Sequence, residues 1–253
     1  MHTIYEDELL RVEALKPQPA PEGGTALLSF PGIGQKTELV EAQKPEFAGT
    51  GRGFANAVFC YDKTRSWGNR LDWDVLTSAV RKAAGGCTLY SIGNSMGGYL
   101  AIAASAYLPI TRSISFVPQF TVDPDAEPHD RRWRMYSKTI KGFPMKPASY
   151  YFVPETEYFI FSSGKGMDGK HAQLFPKAPN IHHWVFPGAG HGLAAALKEQ
   201  GELDRCIQSC FAGDTGLAFP QDTQRLSPGG EAVQLPPAAA LTPTGNGAAA
   251  LPA

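Results

Sequence analysis

Short, almost uninterrupted apolar runs alternate along this chain with stretches in which apolar residues recur at helical spacing. Residues 25–30, 55–61, 87–92, 113–117, 158–162 and 181–186 are runs of the first kind, rich in β-branched and aromatic residues. Residues 72–84 are of the second kind, with Trp73, Leu76, Val80, Ala83 and Ala84 on one face. Residues 98–106 are helix formers with no proline until Pro109, and residues 193–211 read as a closing helix. Apolar strands of this kind, joined by helices, predict an α/β fold: a mostly parallel sheet with helices on both faces.

Two segments break the rhythm. Residues 118–154 are too long for a simple crossover, and predict a small, partly helical lid over the C-terminal edge of the sheet. From residue 214 to 253 the chain is dominated by Pro, Gly, Ala, Thr and Gln, with few large apolar groups to offset the entropy of ordering. The expectation is one domain over residues 1–213 and a disordered, dispensable tail after it.

Composition changes this picture little. A formal net charge of −1 gives no reason to expect a nucleic-acid partner. No apolar run approaches the length of a membrane span. The acidic start, residues 1–13, lacks a positively charged apolar leader, so a cytoplasmic protein is expected. Cys60, Cys87, Cys206 and Cys210 form no C-x-x-C pair and no zinc set, and read as reduced structural thiols. No metal or organic cofactor is implied, and oligomeric state is left open.

The chemistry concentrates at Gly93-Asn94-Ser95-Met96-Gly97, where a strand turns at once into a helix. The flanking glycines let the two elements approach closely, raising the serine hydroxyl on a sharp turn with a helix N-terminus behind it. A serine at its ordinary pKa needs a base to take its proton and a third group to orient that base. His191 follows a strand in the glycine-rich turn Phe186-Pro187-Gly188-Ala189-Gly190-His191-Gly192, an exposed setting that suits a functional imidazole. His182 and His183 lie inside a strand and read as core residues, while His129 and His171 have settings that do not argue for catalysis. Asp168, in a loop after the strand at 158–162, is the candidate orienting acid; an N-cap role is its alternative, and Asp123 and Asp125 are its rivals. Asp62 reads as structural.

With Ser95, Asp168 and His191 in that order, the chain resembles the α/β-hydrolase superfamily, in which nucleophile, acid and base follow successive strands. The resemblance covers about residues 20–212. It implies an oxyanion hole from the backbone N–H groups of Ile33, in Pro31-Gly32-Ile33-Gly34, and Met96, although Pro31 stands where the family commonly has His. It also implies that one of the family's first two strands is missing or rearranged, because the N-terminal region is short.

The expected function is therefore hydrolysis of a carboxylic ester or thioester through an acyl-enzyme on Ser95, with a small acyl compound as substrate. Acyl transfer by the same residues and a non-catalytic binding protein on the same fold are the alternatives. A dehalogenase of this fold is disfavoured because it would carry a carboxylate at position 95. Within 118–154, Arg131, Trp133 and Arg134 combine cationic forks with an aromatic plane and are the candidate substrate-binding residues, set against a plain solvated surface.

Overall fold

Side chains of successive strand residues point to opposite faces, so an uninterrupted apolar run is what a strand covered on both sides requires. In the computed structural model, which describes residues 1–34, 43–219 and 222–226, such runs form β3 (Thr25–Phe30), β4 (Asn56–Asp62), β5 (Thr88–Asn94), β6 (Ile110–Phe116), β7 (Glu157–Ser163) and β8 (Ile181–Phe186). These six are parallel. Two N-terminal strands, β1 (His2–Glu6) and β2 (Leu10–Ala14), and the short β9 (Gln224–Leu226) join by antiparallel pairing, β1 to β2, β2 to β4 and β9 to β8. The sheet order is β1-β2-β4-β3-β5-β6-β7-β8-β9.

The helices are α1 (Ala48–Gly51), α2 (Trp73–Ala84), α3 (Met96–Ala103), α4 (Arg134–Ser137), α5 (Gly166–Leu174), α6 (Leu193–Glu199) and α7 (Leu203–Ala212). Neighbours in one strand feed different layers. Leu28, Phe30 and Val58 join Leu76, Val80 and Leu100 in one buried cluster, whereas Leu27, Phe59 and Phe161 join Leu197 and Ile207 in another. Each such buried side chain contributes roughly 1.5–3 kcal/mol relative to exposure. Asp72 caps α2 by accepting from the N–H groups of Asp74 and Val75, and Gly85, at φ +59°, ends it.

Four expectations are corrected by these elements. The sheet is not reduced at its N-terminus, because β1 and β2 supply two strands ahead of β3; Leu10, Val12 and Ala14 are buried while Arg11 and Glu13 are only partly covered. The single closing helix is two, broken where Gly201 adopts φ +75°. Asp168 lies inside α5, whose N-cap position is Lys165, so it belongs to a helix and caps nothing. The chain from 214 on is not all tail. Leu217 is buried, Phe219 packs edge-on against Phe161, Trp184 and Phe186, and β9 pairs with β8. The remainder of the expected tail, residues 227–253, lies outside the described residues.

Residues 118–154 connect β6 to β7 with one helical turn, α4, and a 3-10 turn at Ala148–Tyr150. Tyr136, Ile140, Ala148, Tyr151 and Phe152 from this segment are buried in the core that contains α2 and α3. No described helix is long and apolar enough to cross a membrane.

Candidate active site

Ser95 stands alone between the end of β5 and the start of α3, at φ +56° and ψ −121°. That backbone region is uncomfortable for a side chain and costs on the order of 1–3 kcal/mol. Close packing around the turn enforces it. A Cβ on Gly93 would collide with the carbonyl of Gly97, and one on Gly97 would collide with that of Phe30 at the end of β3. Both glycines are therefore required by the approach of backbone to backbone.

Five side chains form one directed line through the serine. The indole N–H of Trp67 donates to Gln119 Oε1 at 3.0 Å, and Gln119 Nε2 donates to Ser95 Oγ at 3.1 Å. Ser95 Oγ lies 2.9 Å from His191 Nε2, and His191 Nδ1 lies 3.0 Å from Asp168 Oδ2. The directions follow from the chemistry of the groups. Indole N–H only donates, so the amide oxygen of Gln119 faces Trp67 and its NH2 faces the serine. The ionised Asp168 carboxylate only accepts, so His191 Nδ1–H donates to it, and Nε2 in that neutral tautomer accepts from the Ser95 hydroxyl.

The acid is held from its other side as well. Arg132 Nη2 donates to Asp168 Oδ1 at 2.8 Å and forms a fork with Asp130, with contacts of 2.7–3.0 Å. His171 Nδ1 accepts from the backbone N–H of Phe120, so its Nε2–H is the one that reaches Asp130 Oδ2, at 3.0 Å. Burial works to raise both carboxyls. The hydrogen bonds from His191 and Arg132 outweigh it at Asp168, and those from His171 and Arg132 at Asp130, so both stay below the usual carboxylate range.

The loop after β3 packs beside the serine, with the position of a Gly32 Cβ 3.7 Å from Ser95 Cβ. Gly32 is gripped at both backbone groups: its N–H donates to Glu46 Oε1 at 3.1 Å, and its carbonyl accepts from Gln43 Nε2 at 2.9 Å. Across a trans peptide C=O and N–H point in opposite directions, so the Gln43 bond turns the Ile33 N–H away from Gln43. Met96 is the first residue of α3, where helical N–H groups have no partner within the helix. Burial pushes the Glu46 carboxyl up to about 7, against the pull of its bonds to Gly32 and Asn94.

Of the residues singled out by sequence, Ser95, His191 and Asp168 are thus brought together, with Trp133 beside them at 5.5 Å from the His191 ring. Arg131 and Arg134 are exposed and form no ion pair among the described residues. Asp123 accepts from the backbone of Asp125 in a local turn. His182 faces Glu157, and His183, pushed down to about 3 by burial, bonds Ser162. Asp62 accepts from Thr64, Ser66 and Gly68 and so shapes the loop that carries Trp67. Gln119, Trp67, Arg132, Asp130 and His171 are the members that sequence reasoning missed. Among the described residues no group of His, Cys, Asp and Glu is arranged to hold a metal. The cavity of about 440 Å³ bounded by Phe186, Leu193, Leu197, Arg205 and Phe219 is lined by none of Ser95, His191 and Asp168.

No family model matches this chain, and no curated protein matches it by sequence. Solved structures do resemble it. The capsule O-acetyltransferase of Neisseria meningitidis serogroup A superposes with a TM-score of 0.56 at 14% identity, over 81% of this chain and 93% of that one. Thermogutta terrifontis esterase 2 phosphonylated by sarin superposes with a TM-score of 0.51 at 16% identity, over 83% of this chain and 92% of that one. At such identities the likeness is one of fold, and function has to be argued from the site.

Proposed function

We infer, for a chain that has the α/β-hydrolase fold, a serine hydrolase that cleaves carboxylic esters or thioesters through an acyl-enzyme on Ser95. The observation that carries this reading is the continuous contact from Ser95 Oγ to His191 Nε2 and from His191 Nδ1 to Asp168 Oδ2. In the proposed reaction Oγ bonds to the acyl carbon as His191 takes the hydroxyl proton. His191 then returns that proton to the departing alkoxide or thiolate. Asp168 holds the imidazole and balances its charge. The N–H groups of Ile33 and Met96 are proposed to receive the oxyanion, the first oriented by the bond from Gln43 to Gly32 and the second by its place at the start of α3. Trp133, beside the imidazole, with Arg131 and Arg134 nearby in sequence, is proposed to shape the substrate-binding side.

Labelling with a fluorophosphonate, followed by peptide mapping, tests the nucleophile directly. The label is expected on Ser95, and Ser95→Ala is expected to lose both labelling and turnover of p-nitrophenyl acetate. Wild-type turnover in the alanine variant would reject the assignment. Acyl products formed with an alcohol added to the same assay would report transfer by the same residues in place of hydrolysis.

A further inference from the structure

We propose that Gln119 is a catalytic residue of deacylation, its side-chain N–H holding Ser95 Oγ as that atom is released from the acyl group. The inference rests on the serine-hydrolase reading above. Its basis is the 3.1 Å bond from Gln119 Nε2 to Ser95 Oγ and the impossibility of the amide presenting anything else. Gln119 is fully buried and Trp67 is 1% exposed, so neither can turn to water. The indole N–H at 3.0 Å from Oε1 fixes the amide with its NH2 toward the serine. The next residue, Phe120, is pinned at both backbone groups, its N–H donating to His171 and its carbonyl accepting from Ala148.

A donor aimed at the nucleophile accelerates only the step in which that oxygen becomes a better acceptor. In the free enzyme Oγ is a hydroxyl oxygen and already accepts the bond, so little is gained as it attacks. In the acyl-enzyme Oγ is an ester oxygen whose lone pair is delocalised into the carbonyl, and it accepts weakly. Water attack, with its proton passing to His191, ends that delocalisation. The C–Oγ bond then breaks, its electron pair goes to Oγ, and His191 Nε2–H protonates it, giving the free acid and the serine hydroxyl. The hydrogen bond from Gln119 strengthens from the acyl-enzyme to the breaking of the C–Oγ bond and stays stronger to the serine hydroxyl than to the ester, so its contribution falls on deacylation.

The test uses the full chain, p-nitrophenyl acetate and pre-steady-state detection of nitrophenolate. Gln119→Met keeps an unbranched side chain without a donor, and Gln119→Glu keeps an acceptor for Trp67. Both are expected to lower kcat about tenfold, the upper end for losing a hydrogen bond between neutral groups. KM should fall in step, kcat/KM should stay within about threefold, and a burst should approach one nitrophenolate per enzyme. Trp67→Phe removes the N–H that orients the amide. It is expected to show the same pattern more weakly, and it carries the test if the Gln119 variants do not fold. Equal falls in kcat and kcat/KM without a burst would make Gln119 structural and overturn the proposal, as would unchanged kinetics. A wild-type protein that neither takes the fluorophosphonate nor releases nitrophenolate would overturn the hydrolase reading, and this inference with it.

Discussion

The two oxygens of Asp168 are held by different donors, Oδ2 by His191 and Oδ1 by Arg132. An asparagine cannot serve both. With its amide NH2 toward Arg132 it sets donor against donor, and with NH2 toward His191 it forces the proton onto Nε2, where Ser95 needs an acceptor. Asp168→Asn is therefore expected to lower kcat about 10²–10⁴-fold, while Asp123→Asn and Asp125→Asn leave it unchanged in the same ester assay. Greater damage from either of the latter would move the acid to the preceding strand. Glu46 gives a different signature. Its carboxyl is raised to about 7 in the fold, so the folded chain holds a proton that the unfolded chain releases near pH 4.5. Stability is then lost as pH rises from about 4.5 to about 7. Glu46→Gln keeps an acceptor for Gly32 and removes that loss, so the variant should gain stability over wild type on the order of 1–3 kcal/mol at pH 8 and little at pH 4, as read by urea melts. A constant difference at both values would mean that Glu46 titrates normally. At this scale the sequence exposes residues that carry their own local signal. Ser95 and His191 sit in glycine-bracketed turns after strands, and both are legible. Gln119 and Trp67 are not, because they lie 52 positions apart and acquire meaning only when the fold sets one against the other.

Segment 118–154 joins the core to the site, and its basic cluster divides by partner. Arg132 bridges Asp130 and Asp168, whereas Arg131 and Arg134 face outward. This separates two roles within the run Arg131-Arg132-Trp133-Arg134. Arg132→Gln should lower kcat for a small neutral ester about tenfold or more, because Asp168 then loses a charged donor. Replacing Arg131 and Arg134 together by Gln should spare that ester and raise KM only for anionic substrates, an effect that added salt diminishes. Equal loss on neutral and anionic esters in the double variant would indicate a disturbed segment. Elements were legible where burial dictates the pattern, as in β3 through β8 and the one-sided α2. They were obscured where a single residue decides. Gly201 splits the last helix through its backbone alone, and nothing in the apolar spacing of 193–211 marks the break. The β1–β2 hairpin is hard to read because a short strand buried on one face shows only a brief alternation, Leu10-Val12-Ala14.

At the scale of the whole molecule, the edge beyond β8 is closed by residues whose composition reads as linker. Leu217 is 8% exposed, Phe219 meets three aromatic rings, and β9 continues the sheet by pairing Gln224, Arg225 and Leu226 with Val185, Trp184 and His183. The guanidinium of Arg225 also lies over the Trp184 ring at 5.4 Å. Composition misleads here because a few apolar residues suffice when they land on a face already built: the sheet supplies the partners, and the segment need not form a core of its own. A chain ending after Gly213 would leave Phe161, Trp184 and Phe186 partly uncovered. Removing one large buried side chain typically costs about 2–5 kcal/mol, and a domain of this size loses about 2–4 °C per kcal/mol. The truncated chain should therefore melt on the order of 5–10 °C lower in calorimetry. A chain ending after Leu226 keeps every one of these contacts and should melt with the full-length protein. If both truncations melt with the full-length chain, the packing of Phe219 contributes no stability. If the chain ending after Leu226 also melts low, residues 227–253 contribute stability that their composition does not predict.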